Sequence, residues 1–204
     1  MYIPKDYQLE DTEEIHAFLR QYGFAVLVNQ TRGKLWATHI PLLLDFDVQG
    51  NPILLGHISK MNPQSEGFAE NEDVLAVFTG PHHYISSSWY DHENVPTWNY
   101  MAVHVYGKVR ILTHEEALES LSKLVDHYEK DSEKPIRVAD LSEKTMREAR
   151  GIIAFTIEIT ALEGQKKLSQ NRDTKNYQNI ITTLEKLDDN QALALAKLMK
   201  ANRK

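Results

Sequence analysis

Cysteine is absent from the 204-residue chain, which removes disulfides, thiolate metal sites and cysteine nucleophiles together. No stretch approaches the ~18 apolar residues of a membrane span, and residues 1–10 lack the basic start and apolar run of a signal peptide. These absences fit a reducing compartment, so the expected location is the cytoplasm. Positive charge is also in deficit. With a formal net charge of −6, the chain has no broad surface of the kind that neutralises nucleic-acid phosphates. Any DNA contact would rest on local clusters, at Lys166, Lys167, Arg172 and Lys175, and at Lys197, Lys200, Arg203 and Lys204. Each cluster also reads as an ordinary solvated loop or helix end. There is no Gly-x-Ser-x-Gly elbow and no HExxH helix, so no catalytic residue is assigned.

What is present, 42% hydrophobic and 25% charged residues without repeats, is the composition of a globular domain. Residues 11–21 read as a helix, with Asp11 at its N-cap and Gly23 ending it. Short apolar runs broken by turn residues then predict a β-meander: 24–29, a turn at Arg32-Gly33, 35–44, a turn at Gln49-Gly50-Asn51, and 53–57. Residues 74–79 form a further strand closed by Gly80-Pro81. The long run 97–111 has one apolar face of Met101, Val103, Val105, Val109 and Ile111, and a second face richer in aromatic and polar groups. Thr113 and Glu116 form a capping box for a helix with the stripe Ala117, Leu118, Leu121, Leu124, Val125 and Tyr128. A shorter helix starts at Ser142, and a strand over 153–159 ends near Gly164. Two amphipathic helices close the chain, the second behind Asp188-Asp189-Asn190, with a seam of Leu184, Leu187, Leu193, Ala196 and Met199. Strands cluster and do not alternate with crossover helices, so the expectation is α+β with an antiparallel barrel.

Four stretches are denser in polar and aromatic groups than folding requires. Gly56-His57 through Lys60, Asn62 and Pro63 leaves a strand with an imidazole, a hydroxyl and an ammonium close together, a suitable grip for phosphate; it is also a plain strand exit with an Asn-Pro turn. Gly80-Pro81-His82-His83 through Ser88-Trp89-Tyr90 pairs two imidazoles, but adjacent residues of an extended chain face opposite ways, so no metal site is expected. Pro96-Thr97-Trp98-Asn99-Tyr100 puts two large rings on one face, where they can flank a planar cofactor, pack across a subunit boundary or fill a core. Lys167-Leu168-Ser169-Gln170-Asn171 concentrates donors that can hold an anion or cap a helix.

In order and spacing, these four stretches resemble the FMN-binding negative transcriptional regulator family, also called the PaiB family. The resemblance covers the chain from about Met1 to Arg172. It implies an antiparallel split β-barrel of the FMN-binding type over 1–172, a helical extension over 173–204 packed on the barrel or dimer, and a homodimer with flavin sites at the subunit boundary. It also implies a repressor of sporulation and extracellular protease production. By analogy Thr38 and His39 lie along the flavin ring, His57, Lys60 and Asn62 near its phosphate, and Trp98, Lys167, Ser169 and Gln170 reach in from the dimer interface. Lys60, Gln64 and Gln165 stand where the family pattern often has Arg, His and Lys. Each missing charge-assisted contact weakens an anion by about 1.5–3 kcal/mol, so weak or absent FMN occupancy is expected. The alternatives are a flavin-dependent oxidoreductase of the pyridoxine 5'-phosphate oxidase-like class, and an interaction module that recruits a DNA-binding partner through its terminal helices.

Overall fold

A computed structural model describes residues 1–70 and 73–203, with Glu70 described in its backbone only. The elements run β1 (Gln8–Leu9), α1 (Thr12–Gln21), β2 (Phe24–Thr31), β3 (Lys34–Pro41), β4 (Leu43–Phe46), β5 (Pro52–Ser59), α2 (Gln64–Glu70), β6 (Asp73–Ile85), β7 (Thr97–Ile111), α3 (His114–Glu129), α4 (Glu143–Met146), β8 (Ile152–Lys167), α5 (Thr174–Leu184) and α6 (Asn190–Asn202). They form an α+β fold around one antiparallel eight-stranded sheet of order β3-β2-β6-β7-β8-β5-β4, with β1 paired to β8. The chain divides into two compact units that do not follow chain order. One comprises Met1–Phe18, Thr79–His104 and Glu163–Lys204, and the other Leu19–Phe78 and Val105–Leu162.

In the second unit, β2 and β3 pair from Phe24↔Pro41 to Thr31↔Lys34 about the Arg32-Gly33 turn. Both turn residues have positive φ, 52° and 72°, as a tight hairpin turn requires. The strand expected over 35–44 is broken after Pro41. The N–H of Leu42 turns away to donate to the Gly23 carbonyl at 2.8 Å while its side chain is buried, and β4 starts afresh. Pro41 has no N–H to continue a ladder. The core of this unit gathers Leu27, Leu42, Leu54, Phe78, Phe155 and Ile157. The capping box of α3 forms as the sequence indicates, with Glu116 N–H on Thr113 Oγ1 and Thr113 N–H on Glu116 Oε2.

In the first unit, β6 does not stop at Gly80-Pro81 but continues to Ile85. A Cβ on Gly80 would lie 2.6 Å from the Phe18 ring, so the glycine admits that ring and breaks no strand. Likewise β8 runs past Gly164 to Lys167, because the two-residue β1 pairs there as Gln8↔Gln165 and Leu9↔Gly164. The strand over 97–111 has the expected bounds, and Met101, Val103, Val105 and Val109 are buried, although Ile111 is half exposed at its end. The terminal helices enclose their own core of Tyr177, Ile180, Leu184, Leu195 and Met199 with Ile85 and Leu168. Leu193, expected in that seam, is 43% exposed; the buried stripe of α6 is Ala192, Leu195, Ala196 and Met199, the helical spacing set by the Asp189 cap. Among the described residues no helix is long and apolar enough to cross a membrane.

Candidate functional site

The residues singled out by sequence fall into two clusters, one in each unit. In the second unit an open groove of about 650 Å3 is lined by Thr38, His57 and Asn62, with apolar walls from Ile40, Pro41, Ile58, Met61 and Ile152. Strand alternation sends Thr38 and Ile40 into the groove and leaves His39 outside it, exposed, with its ring stacked on Phe24 at 6.2 Å. Lys60 follows the strand exit, its backbone N–H donating to Gly151 at 2.8 Å. Its side chain is exposed and has no partner among the described residues.

Beneath the groove lies a side chain that sequence reasoning left as a softened anion contact. Gln64 is completely buried. Its Nε2 donates to the Leu27 carbonyl at 3.0 Å, its Oε1 accepts from the Thr38 hydroxyl, and Thr38 in turn accepts from Asn62 Nδ2 at 2.9 Å. Asn62 Oδ1 accepts from the Gln64 N–H at 3.0 Å, which starts α2. The Asn-Pro pair is therefore more than a turn: Asn62 caps α2 and Pro63 follows in its first turn. Thr38 and Asn62 are thus held rigid by internal bonds. Burial pushes the pKa of the half-buried His57 below its ordinary value, so its imidazole is neutral at neutral pH and offers hydrogen bonds without charge. Positive charge near this strand exit therefore comes from Lys60, while Glu148 lines the groove with the opposite sign.

In the first unit, the start of β7 meets the exit of β8. Thr97 and Asn99 point one way and take Lys167 and Ser169: the ammonium donates to Thr97 Oγ1 at 2.6 Å and the hydroxyl to Asn99 Oδ1 at 3.0 Å. Trp98 points the other way, half exposed, with its ring 6.2 Å from His82 and 6.1 Å from Tyr84. Ser169 holds a φ of 57°, the left-handed region, pinned by its bond to Asn99. Gln170 braces the same turn by accepting from the Leu168 N–H at 2.7 Å and donating to the Lys166 and Asp6 carbonyls. Burial, then the charge of Arg172, lowers the pKa of Lys167. His82 faces Trp98 whereas His83 stacks on Trp89, the opposed directions that its strand position dictates. Among the described residues no group of three or more His, Cys, Asp or Glu is placed to hold a metal ion.

Several members of the basic clusters are tied into the protein, while Lys197 is exposed. Lys166 pairs with Glu14 at 2.6 Å, Lys175 with Asp91 at 2.7 Å, and Lys200 with Glu185, while Arg203 lies over the Tyr177 ring at 4.1 Å and donates to the Arg172 carbonyl. Lys204 lies outside the described residues.

Residues 1–161 match the family described as "Putative FMN-binding domain". The chain is also 42% identical over 200 residues to the protease synthase and sporulation protein PAI 2 of Bacillus subtilis, covering 98% of this chain and 96% of that protein. The chain belongs to the PaiB family. Two solved structures resemble its fold. The FAD and heme binding protein of Mycobacterium smegmatis has a TM-score of 0.64 at 17% identity, over 84% of this chain and 78% of that one. The flavocytochrome Anf3 of Azotobacter vinelandii has a TM-score of 0.64 at 16% identity, over 87% and 78%. These likenesses are of fold, which for this PaiB-family chain is the antiparallel split β-barrel.

Proposed function

We propose that this protein is a PaiB-type negative transcriptional regulator of sporulation and extracellular protease production that senses a flavin, FMN, at a site shared between the two copies of a homodimer. The observation that carries the proposal is the groove beside the Thr38-Asn62-Gln64 network, in a chain of an FMN-binding family. A flavin fits it on two counts. The walls of Ile40, Ile58 and Ile152 suit a flat apolar ring, and the free ammonium of Lys60 follows Ser59, which lines the groove, where a phosphate can be met. When bound, the isoalloxazine would supply redox or ligand-sensing chemistry. The residues of this chain orient it: Thr38 and Asn62 are pre-set by Gln64, and His57 offers a neutral hydrogen-bonding edge.

Trp98 and Lys167 belong, in this reading, to the wall that the second copy supplies. Half-exposed Trp98 and its aromatic neighbours are of a kind that proteins ordinarily cover. The internal pairing of Lys166, Lys175 and Lys200 favours regulation through a protein partner over phosphate contacts at that surface. A mixing experiment tests the shared site. Lys60→Ala and Lys167→Ala each weaken FMN in fluorescence titrations; equilibrated together, their mixed dimers hold one intact site of two, and tight binding returns to a fraction of the sites. Equal weakness before and after mixing, with subunit exchange shown by mass, removes the shared site.

A further inference from the structure

The second unit holds another cavity, and its lining shares no residue with the flavin groove. The pairings Asp45↔Ile53, Ile53↔Glu158 and Leu55↔Thr156 put these five residues on one face of β4, β5 and β8. Helix α3 faces them with Glu116, Glu119, Ser120 and Lys123, one helical turn apart, and the gap between helix and sheet is about 380 Å3. That volume lies within the roughly 300–1,000 Å3 of small-molecule pockets. Its base is apolar, from Ile53, Leu55 and Leu112.

Two features of the lining are unfinished. Ser120 and Thr156 are only 5% and 4% exposed, and neither hydroxyl has a hydrogen-bond partner among the described residues. Neither oxygen is among the fully buried side-chain atoms that lack a partner, so both open onto the cavity, where water or a donor group of a ligand reaches them. The charge is also unbalanced, since five carboxylates, Asp45, Asp47, Glu116, Glu119 and Glu158, share two cations. Arg110 is held by Glu116 at 2.9 Å, and Lys123 is divided between Asp45 at 2.8 Å and Glu119 at 3.1 Å. Asp47 is occupied by its own turn, accepting from the N–H groups of Gln49 and Asn51. Glu158 has no cationic partner among the described residues.

We infer that this cavity is a second ligand site, for an organic cation with an apolar stem. The ammonium answers Glu158 and donates to the Ser120 and Thr156 hydroxyls, while the stem covers Ile53, Leu55 and Leu112. A bare metal ion is the poorer match, because no His/Asp/Glu group of three among the described residues is placed to ligate one and the base is hydrocarbon.

Calorimetric titration of the full-length protein with hexylammonium, hexanol and hexanoate, together with amide shift mapping, tests the inference. Hexylammonium binds saturably at one site per chain, moves the Ser120 and Thr156 signals, and binds at least fivefold more tightly than hexanol; hexanoate does not bind. Glu158→Gln weakens hexylammonium at least fivefold and leaves the FMN titration unchanged, and Ser120→Leu fills the cavity and abolishes binding. Should Ser120→Leu fail to fold, Glu158→Gln alone decides. Absent or non-saturable hexylammonium binding, equal binding of hexanoate, or an unaltered Glu158→Gln overturns the inference, whatever the fate of the flavin site.

Discussion

The Thr38 hydroxyl donates to Oε1 of Gln64, an amide with no solvent exposure whose Nε2 is spent on the Leu27 carbonyl. One buried side chain thereby ties β3 and β2 to the start of α2 and fixes one wall of the groove lined by Thr38, His57 and Asn62. Gln64→Leu keeps the volume but strands these partners, and a buried group left unsatisfied costs about 1–3 kcal/mol. Urea unfolding should show a loss of that size, and the FMN titration should weaken with it. An unchanged midpoint would mean that the network contributes nothing to the fold.

Gly107 lies in β7, where an added Cβ would run into the Glu158 carbonyl oxygen, which is backbone and does not move aside, and lie 2.5 Å from Ile157 Cγ2. Overpacking of this kind costs about 1–3 kcal/mol, so Gly107→Ala should lower the melting temperature measurably. A neutral substitution would show that the strands are further apart than described.

The terminal helices separate two leucines two residues apart. Leu195 is fully buried and Leu193 is 43% exposed. Leu195→Ala should cost about 2–5 kcal/mol, the range for a buried leucine, while Leu193→Ala should stay within about 0.5 kcal/mol, as exposed positions do. Equal losses in denaturant unfolding would return Leu193 to the seam.

His57 gives the stability a pH dependence with a fixed sign. Its folded pKa lies below the ordinary 6.5 because burial disfavours the charged ring. As pH falls, the unfolded chain takes the proton first, so the contribution is complete above about 6.5 and is lost as pH drops through the folded value. His57→Asn should therefore lose less stability than the parent between pH 7.5 and 5.5 in urea midpoints. Parallel losses would assign the effect to other groups.

What the sequence made legible depended on how local the cause was. The Thr113-Glu116 box, the Arg32-Gly33 turn and the strand Thr97–Ile111 are written in adjacent or alternating residues, and they stand as expected. The extension of β8 to Lys167 required β1, a strand of two residues without periodicity of its own. Gly80-Pro81 carried the ordinary signature of a turn, and only the Phe18 ring packed against Gly80 shows why the strand continues. Of the residues named by resemblance, Thr38, His57 and Asn62 line one groove, while Lys167 lies in the other unit with its ammonium on Thr97. It could not show that Ser169 is spent on Asn99, that Gln170 reaches the Asp6 carbonyl, or that Gln64 is a buried brace on Leu27, because those partners are distant in sequence.

The most direct test of the account is a fluorescence titration of FMN and of riboflavin against the parent protein and Lys60→Ala. If the exposed Lys60 ammonium meets the flavin phosphate, the substitution weakens FMN by about 1.5–3 kcal/mol, the worth of a hydrogen bond to a charged group, or roughly ten- to a hundredfold. Riboflavin, which lacks the phosphate, binds the parent poorly and is indifferent to the change. Equal weakening of both ligands, or a parent protein that binds neither, would contradict the account.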